Sequence, residues 1–84
     1  MLSWEQVDLK SLIEILVKAL VDDTNAVAVH EVNEGDSVTY EVTVAPDDLG
    51  KVIGKQGKVA NALRTVAKAA ALKDRRNVYV KILP

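Results

Sequence analysis

Hydrophobic residues recur along this chain with two different periods, and the changes of period divide it into six segments. A spacing of three and four residues predicts amphipathic helices, whereas alternation at every second residue predicts strands. Asp8 precedes the first helical pattern as a cap, and Pro46 begins a short helix with two aspartates in its first turn. The predicted elements are a helix at 9–21, strands at 26–32 and 38–44, helices at 46–53 and 58–72, and a strand at 78–83.

The same periods predict which side chains are buried. In the first helix, Ile15 and Val17 widen the apolar face beyond one stripe, which fits either ordinary core or a partner surface. The predicted inward faces are Leu9, Leu12, Ile13, Leu16 and Leu20 in the first helix, Val38, Tyr40, Val42 and Val44 in the second strand, and Val59, Leu63, Val66 and Ala70 in the third helix.

The order of the elements, α-β-β-α-α-β, predicts an α+β fold. Residues 33–36 are typical of a hairpin turn, so the first two strands should be antiparallel. The last strand returns through helices, which favours a parallel neighbour. We therefore expect one domain over residues 1–84, with a three-stranded mixed sheet and three helices packed on one face.

Composition narrows the possible functions. The 84 residues include no cysteine and one histidine, so we expect no disulfide, no metal site and no other cofactor. No acidic residues gather around a nucleophile, which makes an enzyme improbable. The chain has no apolar run of membrane-spanning length and no secretory pattern at its start, so we expect a cytoplasmic location and no membrane contact.

The small total charge of −1 conceals a strong asymmetry between the two halves of the chain. Residues 1–50 contain eleven acidic and two basic side chains, a net charge of −9. Residues 51–84 contain nine basic side chains and one acidic, a net charge of +8. Such polarity indicates a local face that binds a polyanion rather than a surface that coats nucleic acid by bulk charge.

A short glycine-framed loop in the basic half is the strongest candidate for that face. Gly54 and Gly57 allow a sharp turn and the close approach of another backbone. The predicted helix at 58–72 directs its positive end into the loop, where a phosphate is favoured. Three lysines add positive charge at Lys51, Lys55 and Lys58. A phosphodiester backbone fits these features.

The loop does not match other phosphate-binding motifs. Gly50 and Gly54 are one residue too close for a P-loop, and Gln56 stands where Ser or Thr would bind magnesium. Gln56 instead offers hydrogen bonds to a ligand. Beside the loop, Ile53 and Val59 are expected to form an apolar shelf for unstacked bases.

The motif Val52-Ile53-Gly54-Lys55-Gln56-Gly57 resembles the V-I-G-x-x-G core of the KH domain, in which the loop clamps the backbone of about four single-stranded nucleotides. The element order is similar to the type II form of that domain. A KH domain of this size resembles the KhpA (YlqC) family of small bacterial RNA-binding proteins. The resemblance implies a single-stranded RNA ligand, a homodimer, a heterodimer with the larger protein KhpB (Jag or EloR), and roles in RNA regulation and cell-envelope growth.

Residue by residue, the resemblance assigns the loop glycines to Gly54 and Gly57 and the variable positions to Lys55 and Gln56. It also implies that Arg75 and Arg76, in the connector after the third helix, close the groove over RNA. Many KH domains carry a bulky aliphatic residue where this chain has Ala60. Either the groove floor is shallower here, or Leu63 fills the space.

Two functions remain open from the sequence. The first is an RNA-binding module that acts as a chaperone or regulator. The second is a KH-fold module for dimerisation or docking to a protein, with weak RNA binding; the apolar first helix and the alanine-rich third helix favour it. Away from the loop, Arg64, Lys68 and Lys81 are expected to be solvated charges rather than contacts.

Overall fold

The computed structural model describes residues 8–71 and 76–83. Within them, the chain forms three helices and one mixed sheet of three strands, as the sequence predicts. Short 3-10 turns precede β1, α2 and α3. The helices are α1 (Leu9–Lys18), α2 (Leu49–Ile53) and α3 (Lys58–Ala71), and the strands are β1 (Ala28–Glu34), β2 (Ser37–Thr43) and β3 (Asn77–Leu83).

The sheet has the order β1-β2-β3, with β2 in the centre. β1 and β2 are antiparallel, and Val29 lies opposite Val42. β2 and β3 are parallel, and Val38 lies opposite Val78. The parallel pairing confirms the expectation drawn from the helical connection. The predicted hairpin turn is shorter than expected, because only Gly35 and Asp36 separate the strands.

The core lies between one face of the sheet and the helices. In β2 the inward face is the predicted one, because Val38, Tyr40 and Val42 are buried and Val44 follows them into the core. The other face of the sheet carries polar residues such as Glu41. The buried core comprises Ile13, Val17, Val21, Val29, Val38, Tyr40, Val42, Val44, Val52, Leu63, Ala67, Val78 and Val80.

The first helix begins as predicted and ends earlier. The side chain of Asp8 accepts a hydrogen bond from the Ser11 N–H at 2.7 Å, and this bond lowers the pKa of Asp8. The helix ends at Lys18, three residues before the predicted end. As a result, Leu20 lies outside the helix and is exposed, whereas Val17 is completely buried.

The predicted inward face of α3 is wrong by about one residue. Leu63 is buried as expected, but its buried neighbours are Ala60 and Ala67. Val66, expected inside, is 40% exposed. Hydrophobicity favoured valine over alanine as the inward residue, whereas packing favours alanine here, because a small side chain lets the helix approach the sheet closely.

Among residues 8–71 and 76–83, no helix is both long enough and apolar enough to cross a bilayer.

Candidate nucleic-acid interface

The glycine loop joins two helices through one tight turn. α2 ends at Ile53, residues 55–57 form a 3-10 turn, and α3 starts at Lys58. The N–H of Gly54 donates to the carbonyl of Gly50 at 2.9 Å and so closes the last turn of α2. The N–H of Gly57 donates to the carbonyl of Gly54 at 3.3 Å. These two bonds fix the course of the loop between the helices.

The two glycines of the loop are required for different reasons. Both have a φ of +75°, which side chains other than glycine rarely allow. At Gly54 a Cβ would lie 2.4 Å from the Cγ2 of Val59 and 2.9 Å from its backbone nitrogen, so the fold itself excludes a side chain. At Gly57 a Cβ would meet nothing within 4 Å. The space beside Gly57 is therefore open to a ligand.

Gln56, between the glycines, also has a left-handed conformation, with φ 57° and ψ 26°. Among the described residues other than glycine, it alone has a positive φ. This conformation costs about 1 kcal/mol in a residue with a Cβ. Strain of this kind is concentrated at functional sites. The side chain of Gln56 is exposed, as is that of Lys55.

Side chains at the start of α3 give the loop a positive surface. Lys55 and Lys58 are exposed on either side of Gln56. Their charges add to the positive end of the α3 dipole. Ile53, at the end of α2, is 37% exposed, so an apolar side chain is accessible beside the loop. Val59 is half-buried because it packs under Gly54.

Lys51 lies in a different environment from the other two lysines. Its Nζ donates to a carboxylate oxygen of Asp22 and to Oδ1 of Asp48, the latter at 3.2 Å. The hydrogen bond to Asp22, followed by that to Asp48, raises the pKa of Lys51. The ammonium is half-exposed, but two carboxylates already balance its charge.

Asp48 is the anchor of this ion-pair cluster. It is the one buried charged residue in the described part of the chain, at 3% exposure. It accepts hydrogen bonds from the backbone N–H groups of Asp23 at 3.0 Å and Asp22 at 3.2 Å. The bond from Asp23, with that from Asp22 and the ion pair with Lys51, lowers its pKa. Asp48 thereby ties the segment before β1 to the helix that leads into the loop. Sequence reasoning placed this aspartate in a helical first turn and missed its role.

A cleft between α3 and β3 continues away from the loop. Arg64, expected to be a solvated charge, reaches across this cleft, and its Nε donates to the carbonyl of Val80 at 3.3 Å. Further along, Lys68 borders an open pocket of about 320 Å³. The rest of the pocket wall is formed by Arg76, Asn77, Val78 and Tyr79. Lys68 lies ten residues after Lys58, which corresponds to about 15 Å along the helix.

Of the two arginines that were predicted to close the groove, the structure describes only Arg76. Arg75 lies outside the described residues. Arg76 donates from Nη2 to the side-chain oxygen of Asn33 at 2.8 Å and to the carbonyl of Ser37 at 3.0 Å. It therefore ties the start of β3 to the β1–β2 hairpin, at the end of the cleft opposite the loop. The structure does not bring Arg76 together with the loop lysines.

The burial of Ala60 and Leu63 bears on one of the two alternatives raised by Ala60. Ala60 and Leu63 are both buried, at 4% and 5% exposure. Leu63 belongs to the core cluster beneath the helix. Because it is buried in the core, Leu63 does not fill the surface space beside the loop.

Comparison with known proteins agrees with this geometry. The family model described as KhpA/KhpB, KH domain matches residues 10–82. The chain is 51% identical to the RNA-binding protein KhpA of Clostridium perfringens over 75 residues, which cover 89% of this chain and all of the relative. It is 51% identical to the protein of the same name from Caldanaerobacter subterraneus, over 86% of this chain and 96% of the relative. For the RNA-binding protein KhpA of Aquifex aeolicus the identity is 44%, over 89% and 95% of the two chains.

No solved structure matches the chain. The family model nevertheless covers nearly all of the described fold, including the glycine loop and all three strands. The α-β-β-α-α-β order and the V-I-G-x-x-G core are the features on which the resemblance to the KH domain was based. On these grounds the chain belongs to the KhpA/KhpB family of KH-domain proteins.

Proposed function

We propose that this protein binds single-stranded RNA and holds its backbone in the loop of residues 54–57. The observation that carries the proposal is the open space beside Gly57, at the positive end of α3 and between two exposed lysines. Relatives at 51% identity are named RNA-binding protein KhpA, which supports RNA as the polyanion. The physiological role would then be that of an RNA chaperone or post-transcriptional regulator in the cytoplasm.

Each residue of the loop has a distinct part in this proposal. The bare Cα of Gly57 lets a phosphate approach, and Gly54 maintains the turn. Lys55 and Lys58 neutralise phosphates, and Gln56 hydrogen-bonds the sugar or phosphate oxygens. The remaining residues have lesser parts: Ile53 packs against a base, Lys51 holds α2 in place through its ion pairs with Asp22 and Asp48, and Arg75 and Arg76 close the far end of the groove.

The test is the affinity of a short labelled RNA, measured by fluorescence anisotropy at two salt concentrations. Lys55→Asp/Gln56→Asp should abolish binding, because it reverses the charge where phosphates would lie. Aspartate tolerates the left-handed conformation of residue 56, so the fold should survive. Lys10→Asp/Ser11→Asp changes the net charge equally, in the exposed first turn of α1, and should bind like the wild type.

Salt dependence adds a second criterion. Each phosphate contact with a single strand contributes about −0.7 to the slope of log K against log salt concentration. Two to four contacts therefore predict a slope of roughly −1.4 to −2.8. An affinity that is insensitive to salt, or equal in the loop variant and the control, would contradict the clamp.

We also propose that the protein forms a homodimer, and that the same kind of contact serves a KhpB-like partner. Val66 is 40% exposed on α3, and the exposed Ala62 and Ala69 lie one turn to either side of it. Together they present an apolar stripe without charge. The family description covers both KhpA and KhpB, which supports a contact within the family. A second RNA-binding loop in the dimer would raise the affinity of an otherwise weak site.

A further inference from the structure

The carboxylate of Asp48 bonds to a part of the chain far from its own helix. Asp48 stands at the N-cap of α2, where an aspartate ordinarily accepts a hydrogen bond from its own helix, but its side chain makes no such bond. Its oxygens instead accept from the backbone N–H groups of Asp22 and Asp23, 26 and 25 residues earlier. The side chain therefore holds a remote stretch of backbone rather than capping α2.

Both oxygens of this buried carboxylate are in use. Oδ2 accepts from the N–H of Asp23, and Oδ1 accepts from the N–H of Asp22 and from Nζ of Lys51. A buried charge costs free energy that a hydrophobic residue of similar size would not cost, so stability alone is a weak reason for an aspartate here. Two successive N–H groups need two acceptor oxygens, and an amide side chain has only one. The carboxylate thus fixes how α2 is oriented against residues 22–23.

The orientation of α2 depends on such outside contacts. The helix has five residues, too few to be stable by its own hydrogen bonds. Val52, near its end, is completely buried, and Asp48 holds its beginning. These two anchors are about 6 Å apart along the helix axis, so together they fix its direction. Without Asp48, α2 would be free to rotate about Val52. Gly54 would then move with it, because its N–H donates to the carbonyl of Gly50.

We propose that Asp48 is a positioning residue of the RNA clamp, which sets the direction of α2 and thereby the place of the glycine loop. The inference rests on the proposed RNA binding and deepens it. Asp48 does not touch RNA, because it is 3% exposed and its negative charge would repel a phosphate. Lys51 is then the internal counter-ion of Asp48 rather than a phosphate contact.

The test measures the affinity of a labelled single-stranded uridine nonamer for folded protein. Asp48→Asn keeps the shape of the side chain and loses one acceptor oxygen, so affinity should fall about tenfold, as when one charged hydrogen bond to a phosphate is lost. Asp47→Asn makes the same charge change at the exposed neighbouring residue and should bind like the wild type. Val38→Ala weakens the core at the hairpin end of β2 and should also bind like the wild type.

Two further measurements separate the position of the loop from the stability of the fold. In nuclear magnetic resonance spectra without RNA, the amide signals of Gly54 and Gly57 should shift in Asp48→Asn and stay in place in Val38→Ala. Adding Gly50→Ala to Asp48→Asn should raise the melting temperature, because a Cβ meets open space at this position of α2. It should not restore the affinity for RNA.

Three results would overturn the proposal and leave the loop clamp intact. The first is wild-type affinity, or unchanged loop signals, in Asp48→Asn. The second is a loss of affinity in Val38→Ala as large as that in Asp48→Asn. The third is recovery of affinity together with melting temperature when Gly50→Ala is added. Failure of the wild type to bind RNA would overturn both the clamp and the part assigned to Asp48.

Discussion

Three glycines around the loop should respond to the same substitution, glycine to alanine, in three different ways. Gly54 has φ +75° and ψ 176°, a region that is nearly restricted to glycine, and alanine there costs about 1–3 kcal/mol in backbone strain. Its Cβ would also lie 2.4 Å from Val59 Cγ2, and such overpacking costs a further 1–3 kcal/mol or so. Gly54→Ala should therefore destabilise the domain by about 4 kcal/mol.

Gly57 and Gly50 provide the comparison for Gly54, because alanine meets fewer obstacles at each of them. At Gly57 only the positive φ opposes a side chain, so Gly57→Ala should cost about 1 kcal/mol. At Gly50, inside α2, the φ is not positive and the space is open, so alanine should stabilise the helix by about 0.5–1 kcal/mol. RNA affinity should fall for Gly57→Ala, because the added methyl enters the space assigned to the phosphate, and should persist for Gly50→Ala.

The assay is urea unfolding followed by circular dichroism, with the midpoint converted to a free energy of unfolding. A domain of this length has a stability of roughly 4–13 kcal/mol, so Gly54→Ala would remove a large share of it. The melting temperature should fall by roughly 15–30 °C. If Gly54→Ala proved as mild as Gly57→Ala, contact with Val59 would not be the reason for glycine at this position. If Gly50→Ala were as harmful as either, the geometric reasoning would fail altogether.

Further predictions concern the buried polar groups, the alanine face of α3 and the exposed stripe. The lowered pKa of Asp48 means that its contribution to stability is full above about pH 3.8 and is lost as the pH falls through the folded-state value, so Asp48→Asn should be less stable at pH 7 and should lose less stability on acidification. Burial, with the hydrogen bond to Glu31, raises the pKa of Tyr40 from 10.0 to about 12, so ultraviolet titration should show this phenol ionising later in the folded domain than in the urea-unfolded chain, and its contribution to stability should be lost between pH 10 and 12. Ala67→Leu should destabilise the domain by about 1–3 kcal/mol in urea unfolding, because residue 67 has no exposed surface and a larger side chain would overpack the core. Val66→Asp should convert a dimer to a monomer in sedimentation experiments without loss of helix content, whereas Thr65→Asp, with the same charge one residue away, should remain dimeric.

The fold could be predicted because it follows from the period of the hydrophobic residues and from the order of the helices and strands along the chain. Alternation from Val38 to Val44 fixed the inward face of β2, and the helical return to β3 implied its parallel pairing. The inward face of α3 could not be predicted from hydrophobicity, since Val66 is the more apolar residue and the smaller Ala67 packs inside. The size of the side chain determines which residue faces the core, because α3 and the sheet approach each other closely.

The candidate site was predicted where it is local and missed where it depends on distant residues. The loop lies in six consecutive residues, so its glycines, lysines and Gln56 could be read directly. Each of Lys51, Asp48 and Arg64 has a partner that lies 16 to 29 residues away, and no sequence period encodes these partners. The signals that were available were weak: two aspartates after a proline, and an arginine one turn before Lys68.

The charge asymmetry of the sequence takes a different meaning once these partners are known. The nine cations of the second half predicted a local face that binds a polyanion, but Lys51 is matched by two carboxylates and Arg76 is bound to the hairpin. The acidic half is thus used partly inside the fold, and it reduces the charge that RNA would meet. Among the described residues, and apart from Lys51 and Arg76, four cations line the loop and cleft: Lys55, Lys58, Arg64 and Lys68. A site with so few phosphate contacts binds weakly by itself, and the effective concentration supplied by a second loop becomes important. The exposed stripe around Val66 therefore matters for RNA affinity as well as for dimerisation, since a dimer through α3 would give one RNA strand two clamps.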